Sequence, residues 1–310
     1  MYKNFDEMIQ RAAQMPKKLA VAICAADDDS IVHLAGELQR LALCRCILVG
    51  DVDKIRALAA QSGTDISAAE LIDEKDRVQS CLRAVKLVHD GQAQVFVKGN
   101  VNTSDFLRAV LNKEVGLRTG RKLSVLSAYE VPGEKKIFFI TDGGMIPAPD
   151  LETKAMILRS AVPVLQQLGI RQPKVAILAA NERPTPGMQA TLDARDLCEM
   201  AARGELPDAV YEGPIAFDVA MKPAAAKIKG IDSRVSGDVD LFLVPSIETG
   251  NCLGKAIGYF GKGTMAGQVV GATHPVIMSS RAASIRSKLA SVAWALLSYK
   301  DHDDKGGDQS

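Results

Sequence analysis

The sequence predicts an α/β protein of two domains with mainly parallel sheets. Short apolar runs of β character alternate with amphipathic helical stretches along most of the chain, the pattern of strands joined by crossover helices. Polar clusters stand directly after several of these runs, at what would be the carboxyl edge of a strand, where open α/β sheets bind ligands. At 310 residues and 47% hydrophobic, the chain is long enough for more than one core.

Residues 19–26 read as the first strand, closed by Asp27-Asp28-Asp29. Residues 30–43 follow as a helix, with Ile31, Leu34, Leu38 and Leu41 on one stripe. A second strand at 46–49 ends at Gly50-Asp51, and helices are expected over 52–61 and 78–88. A third strand, 94–97, runs into Lys98-Gly99. After Arg118-Thr119-Gly120-Arg121 the texture changes. Residues 123–130 and 136–141, around the turn Pro132-Gly133-Glu134, predict an antiparallel hairpin and mark a domain crossing. A helix over 151–168 takes Asp150 as N-cap and Gly169 as stop, and Pro163 should kink it or end its regular part early. Strands at 175–179, 209–211, 241–244, 269–270 and 276–278 follow, with a helix at 193–202 and a last helix at 282–299. The polar tail 301–310 is expected to be disordered.

Composition removes several classes of function. With 38 basic against 37 acidic residues there is no electrostatic case for nucleic acid or an anionic membrane surface. No apolar stretch approaches the ~20 residues of a spanning helix, and the first 14 residues lack a signal-peptide core, so a soluble cytoplasmic protein is expected. The six cysteines show no CxxC spacing and read as free thiols, with Cys44 and Cys46 on one face. Four scattered histidines assemble no zinc constellation.

Two segments carry the chemistry. Pro245-Ser246-Ile247-Glu248-Thr249-Gly250-Asn251-Cys252-Leu253-Gly254-Lys255 follows the apolar run 241–244 and reads as a strand-end turn. Pro275-Val276-Ile277-Met278-Ser279-Ser280-Arg281 stands directly before a helical pattern at Ile285, Leu289, Val292, Ala293 and Leu296. A helix start offers free N–H groups and a positive dipole end, and Arg281 adds a fork of donors, which together suit an anion. Asn251 and Lys255 would supply further donors to a phosphate or an oxyanion. Ser280 reads equally as the N-cap, and Asp218 as either an N-cap for 219–227 or a site residue. Gly261-Lys262-Gly263-Thr264 matches neither phosphate-loop spacing.

The ordered run of motifs resembles the phosphate acetyltransferase/phosphate butyryltransferase family, and more closely its butyryltransferase branch. It comprises Lys98-Gly99 with Thr103, Leu117-Arg118-Thr119-Gly120, Val131-Pro132-Gly133, Thr141-Asp142, Gly213-Pro214 with Asp218, Lys229-Gly230-Ile231 with Gly237-Asp238, Pro245 with Gly250-Asn251 and Lys255, and Ser280-Arg281 with Lys288. The resemblance implies two α/β domains of the isocitrate/isopropylmalate dehydrogenase-like kind, with the active cleft between them and the first domain built from both chain ends. That gives 1–121 plus 283–300 and 122–282. It also implies transfer of a short or branched acyl group between coenzyme A and inorganic phosphate, with CoA as substrate, no cofactor or metal, and a homodimer. In that frame Ser280, Arg281 and Asn251 are the catalytic candidates. Lys255, Asp218, Lys98 and Arg118 are the substrate-binding ones, the last two for CoA phosphates.

The chain departs from the family pattern where the resemblance matters most. Ser287 stands where the acetyltransferases carry an Asp proposed as base for the CoA thiol. Ala283 and Arg286 replace acidic residues usual in the butyryltransferase branch. Ile146, Ser246 and Val125 replace residues the family often has as Asn, Asn and His. Two readings follow: an enzyme whose thiol loses its proton without these carboxylates, or a non-catalytic module that binds CoA-type ligands. A metal-dependent dehydrogenase on the same fold would need clustered Asp ligands that the sequence lacks.

Overall fold

The computed structural model describes residues 2–280 and 283–300. The chain forms two compact units. One comprises Asp6–Gly120 with the chain from Ala272 onward, the other Arg121–Gly271 with the chain up to Phe5. The return to the first unit thus comes at 272, ahead of the expected 283, because a short strand at 276–277 already belongs there. The expected tail, 301–310, lies outside the described residues.

The first unit opens with α1 (Phe5–Ala13) and continues as β1 (Ala20–Cys24), α2 (Asp29–Arg40), β2 (Arg45–Gly50), α3 (Val52–Ser62), β3 (Glu70–Asp73), α4 (Arg77–His89), β4 (Val95–Lys98) and α5 (Thr103–Val110). Its helices start where side chains satisfy the first free N–H groups: Asp28 accepts from Ser30, Asp51 from Lys54, and Asp76 from Val78 and Gln79. The strands order as β3-β2-β1-β4, all parallel, and every residue of β1 and β4 is buried, as a sheet covered on both faces requires. The chain runs outward from β1 through β2 to β3, then returns to the other side of β1 as β4. The reversal leaves a crevice beyond the carboxyl ends of β1 and β4.

The second unit holds β5 (Ser124–Glu130), β6 (Phe138–Thr141), α6 (Leu151–Gln167), β7 (Lys174–Leu178), α7 (Gln189–Ala202), β8 (Val210–Ile215), α8 (Phe217–Met221), α9 (Pro223–Ile228), β9 (Leu241–Leu243), α10 (Ile247–Tyr259) and β10 (Thr264–Val270). Strand order is β10-β5-β6-β9-β7-β8; β10, β5 and β6 pair antiparallel, as the hairpin signal predicts, and β6, β9, β7 and β8 pair parallel. Its core gathers Phe138, Phe242, Ile140, Ala176, Val219 and Val235. The chain then re-enters the first unit as β11 (Val276–Ile277), parallel to β4, and α11 (Ile285–Ser298), whose Trp294 is fully buried.

Three sequence expectations are corrected. Pro163 neither ends nor shortens α6, which runs unbroken to Gln167 with Ala155, Leu158, Ala161, Val162 and Leu165 buried. The Arg159 carbonyl, which Pro163 cannot serve, lies 3.4 Å from the Arg121 guanidinium. The segment expected as a turn around Asn251 is helical: Ser246 caps α10, and Gly250 and Asn251 lie inside it. Finally, α11 starts at Ile285 rather than 282, and its cap is Ser284, which accepts from the Ser287 N–H at 3.2 Å. Ser280 is therefore not the cap. No helix among the described residues is long and apolar enough to cross a membrane.

Candidate functional site

In the first unit, a small cavity of about 20 Å³, room for roughly one water-sized group, lies at the crevice between β1 and β4. Its polar lining comes from two helices and two strand ends: Asp28, the cap of α2, and Ser30 in its first turn, Lys98 and Asn100 at the end of β4, Ser279 and Ser280 after β11, and Lys288 from α11. The backbone approach there is close. A Cβ on Gly99 would stand 2.1 Å from the Cys24 carbonyl, so only glycine lets the chain leave β4 against β1.

Lys98 and Lys288 are 8% and 4% exposed, unusual for cations and a reason to look for what they serve. Lys98, expected as a surface contact for CoA phosphates, instead ends β4 inside the cavity wall, its ammonium 3.5 Å from the Gly99 carbonyl. Lys288 donates to Ser30 Oγ at 2.7 Å, and Ser30 Oγ donates in turn to Asp28 Oδ1 at 2.6 Å. Burial pulls the Lys288 ammonium below the ordinary lysine range, and the Asp28 carboxylate opposes that shift. Ser287, beside it, is buried, its backbone N–H donating to Ser284 Oγ and its carbonyl accepting from Ser291 Oγ, so this position does not open to solvent.

In the second unit the carboxyl ends of β6 and β9 lie side by side, Thr141 opposite Leu243. Asp142 follows β6 and accepts the N–H groups of Gly144, Met145 and Ile146 at 2.8, 3.0 and 3.1 Å, which fixes that loop. Burial raises the Asp142 carboxyl above its usual value against those bonds. The loop packs backbone to backbone on α10: a Cβ on Gly250 would stand 2.6 Å from Gly143 Cα. Asn251 Nδ2 reaches the Gly143 carbonyl at 3.4 Å. Asn251 and Lys255, four residues apart, share one exposed face of α10. Glycine spacing thus brings the helix close enough for its amide and ammonium to project at the strand ends.

The other candidates divide. Asp218 is not a cap; it sits within α8, exposed, and pairs with Lys229, which also holds Glu182 at 2.9 Å. The Lys229 hydrogen bond keeps its carboxyl below the usual range. It follows β8, separated by β7 from the β9 end that leads to α10. Arg118 is exposed, its backbone bridged to Ala272, and does not line the cavity. Arg281 lies outside the described residues. The structure therefore brings Ser280 and Lys98 to one cavity and Asn251 and Lys255 to one helix face. Sequence reasoning gave no role to Ser30 or Asp28, and gave Lys288 a place in the motif run and a charge that could lower the thiol's titration. The available signal was a lysine at the head of the largely apolar stretch 289–297 of α11, which demands a partner if it is buried. Among the described residues no three His, Cys, Asp or Glu side chains gather as metal ligands would.

The model of the "Phosphate acetyl/butaryl transferase" family matches residues 77–296. This chain belongs to that family. The match takes in Lys98, Asn251, Lys255, Ser280 and Lys288, and so the α10 face and one side of the cavity, while Asp28 and Ser30 lie outside it. The chain is 39% identical over 297 residues to the phosphate butyryltransferase of Clostridium beijerinckii, covering 96% of this chain and 98% of that one. It is 37% identical over 295 residues to the phosphate acetyltransferase of Rhizobium meliloti, covering 95% and 93%. Among solved structures, a branched-chain phosphotransacylase from Enterococcus faecalis superposes with a TM-score of 0.80 at 29% identity, over 90% of this chain and 98% of that one. A 4-hydroxythreonine-4-phosphate dehydrogenase from Klebsiella pneumoniae gives 0.56 at 12% identity, over 91% and 100%, a likeness of fold alone. The family member therefore keeps a dehydrogenase-like α/β fold.

Proposed function

We propose that this protein catalyses the reversible transfer of a short or branched acyl group between coenzyme A and inorganic phosphate, acyl-CoA + phosphate = acyl phosphate + CoA. The observation that carries the reading is the family match over residues 77–296, which includes every motif residue named above. The relatives named above are transferases of this kind, and nothing favours a non-catalytic module. Butyryl and branched-chain names among them support a short or branched acyl group.

The reaction passes through a tetrahedral, anionic carbon, and its demands are a phosphate clamp, donors to the oxyanion, and an outlet for the thiol proton. Arg281 with Ser280 suits the clamp, because a guanidinium fork matches a phosphate edge. Asn251, an amide beside a cationic Lys255, suits the oxyanion. Arg118 remains a candidate for CoA phosphates, being exposed; Lys98, being walled in, is reassigned to the cavity. Asp218 acts through its pairing with Lys229. The chemistry calls for no metal. The test is CoA-dependent consumption of butyryl, isobutyryl and acetyl phosphates, followed by loss of free thiol with a chelator present. Turnover of at least one is expected, and CoA binding without turnover of any would overturn the reading.

A homodimer and a cytoplasmic setting complete the proposal. Tyr259 and Phe260, both 82% exposed with rings 5.2 Å apart, end α10, and Met265 on β10 is 41% exposed. An aromatic pair so exposed suits a self-association surface. Sedimentation of a Tyr259→Ser/Phe260→Glu double variant should show monomer where the parent protein shows dimer; a parent protein that is monomeric at all concentrations would remove the idea. All six cysteines are free thiols, which fits a reducing compartment.

A further inference from the structure

We propose that Lys288 is the group that takes the proton of the CoA thiol, held in place by Ser30 and Asp28. This deepens the acyl-transfer reading and rests on it. Position 287, where the acetyltransferase pattern has an Asp, is a buried Ser here, and a hydroxyl is no base for a thiol, so the proton needs another acceptor. Lys288 is the next residue, and its side chain leaves α11 into the cavity that Ser280 also lines. There it completes a chain of hydrogen bonds: Nζ–H to Ser30 Oγ at 2.7 Å, and Ser30 O–H to Asp28 Oδ1 at 2.6 Å. Because Ser30 spends its only proton on Asp28, its lone pairs face Lys288, which fixes the amine without supplying it a proton.

The charges around Lys288 favour a neutral amine. Among the described residues, Asp28 at the start of α2 and Lys98 at the end of β4 are the charged groups lining the cavity with it, while β11 contributes none. His33 on α2 is exposed, and Arg286 on α11 pairs with Asp6 at 3.2 Å. Lys98 lines the same small cavity, and the Asp28 carboxylate already accepts two hydrogen bonds from Ser30. Burial without a full counter-charge disfavours a second ammonium, in line with the downward shift already described.

The step balances as follows. The neutral Lys288 amine accepts the S–H proton as the thiolate sulfur bonds to the acyl carbon. The tetrahedral oxyanion then collapses, the bond from carbon to the bridging phosphate oxygen breaks, and the ammonium returns its proton to that oxygen, releasing hydrogen phosphate. In the reverse direction the amine takes the proton of hydrogen phosphate as its oxygen attacks the thioester carbon, and the resulting ammonium protonates the leaving sulfur. Lys288 is thus a catalytic residue, and Ser30 and Asp28 are positioning residues.

The test is the pH–rate profile of kcat/KM with CoA and butyryl phosphate for the whole 310-residue chain, with the absence of a pre-steady-state burst showing that no step after chemistry limits. The parent enzyme should reach its plateau below the ~8.5 of a free thiol. Lys288→Met fills the same space without a base; it should be about 100- to 10,000-fold slower at neutral pH, with the rate now rising to the thiol's own titration. Lys288→Arg should be as slow, since a guanidinium stays protonated, and small primary amines should partly restore the Met variant. Ser30→Ala, a smaller change chosen in case the Met variant does not fold, should slow the reaction and move the inflection. Full activity with an unchanged profile in Lys288→Met, or in Ser30→Ala should the Met variant not fold, would overturn the proposal. So would rescue by Arg, which would make Lys288 a fixed cation. Those results would leave the acyl-transfer reading standing, whereas a parent enzyme that binds CoA but turns over no acyl phosphate would overturn that reading instead.

Discussion

Arg281→Ala is expected to lower kcat/KM about 100- to 1000-fold, which corresponds to the ~2.7–4 kcal/mol that one transition-state contact typically supplies. The reason is the chemistry of the leaving group. Phosphate departs with charge spread over its oxygens, and a guanidinium meets two of them with parallel N–H bonds that strengthen as the charge grows. Arg281→Lys should recover part of the rate and no more, because an ammonium is a point charge without the fork. Steady-state kinetics with acyl phosphate as the varied substrate distinguish the cases. Near-parent kinetics for the alanine variant would remove Arg281 from the anion site and leave Ser280 to be explained as a wall of the cavity.

The largest loss of stability should follow Lys154→Met. Lys154 on α6 and Asp193 on α7 meet at 2.5 Å with side chains 6% exposed on each side, and Gln189 adds a bond to the same carboxylate at 2.7 Å. Removing the ammonium leaves Asp193 charged in a dry helix interface, for which ~3–5 kcal/mol is typical. The double change Lys154→Met/Asp193→Leu removes both charges and should restore most of the loss, since a buried pair gains little over well-packed apolar groups. Urea unfolding of the two variants and the parent protein measures both values. A single variant within ~1 kcal/mol of the parent would mean that water reaches Asp193.

The alternation of strands and helices was legible because parallel strands buried on both faces show as unbroken apolar runs, as in β1 and β4. The hairpin was legible from its turn residues. What misled was local composition overruled by packing. Gly250, Asn251, Gly254 and Gly258 all weaken a helix, so the stretch read as a loop. The same glycines let α10 lie against Gly143 and the ring of Tyr129, while Leu253 and Ile257 pack on the core. β3 escaped notice because it is a four-residue edge strand with charged ends and no buried residue. α5 escaped because it is only eight residues long. The site was half legible. Motif letters located Ser280 and Asn251, but the Lys288–Ser30–Asp28 chain joins positions 258 residues apart in sequence, and no local pattern announces such a meeting.

That separation sets the order in which the protein is made. The strands β1 to β4 leave the ribosome first, yet their sheet lacks its parallel neighbour β11 and the cover of α11 until the chain has been read almost to Ser298. The intervening residues, Arg121–Gly271, form a compact unit of their own and can fold while the earlier segment waits with apolar surface uncovered. The cavity is completed by α11, so a nascent chain stalled anywhere before Lys288 holds Ser30 and Asp28 without the amine that bonds to them. Such a half-made first unit is the stretch of this protein that a chaperone would have most reason to hold.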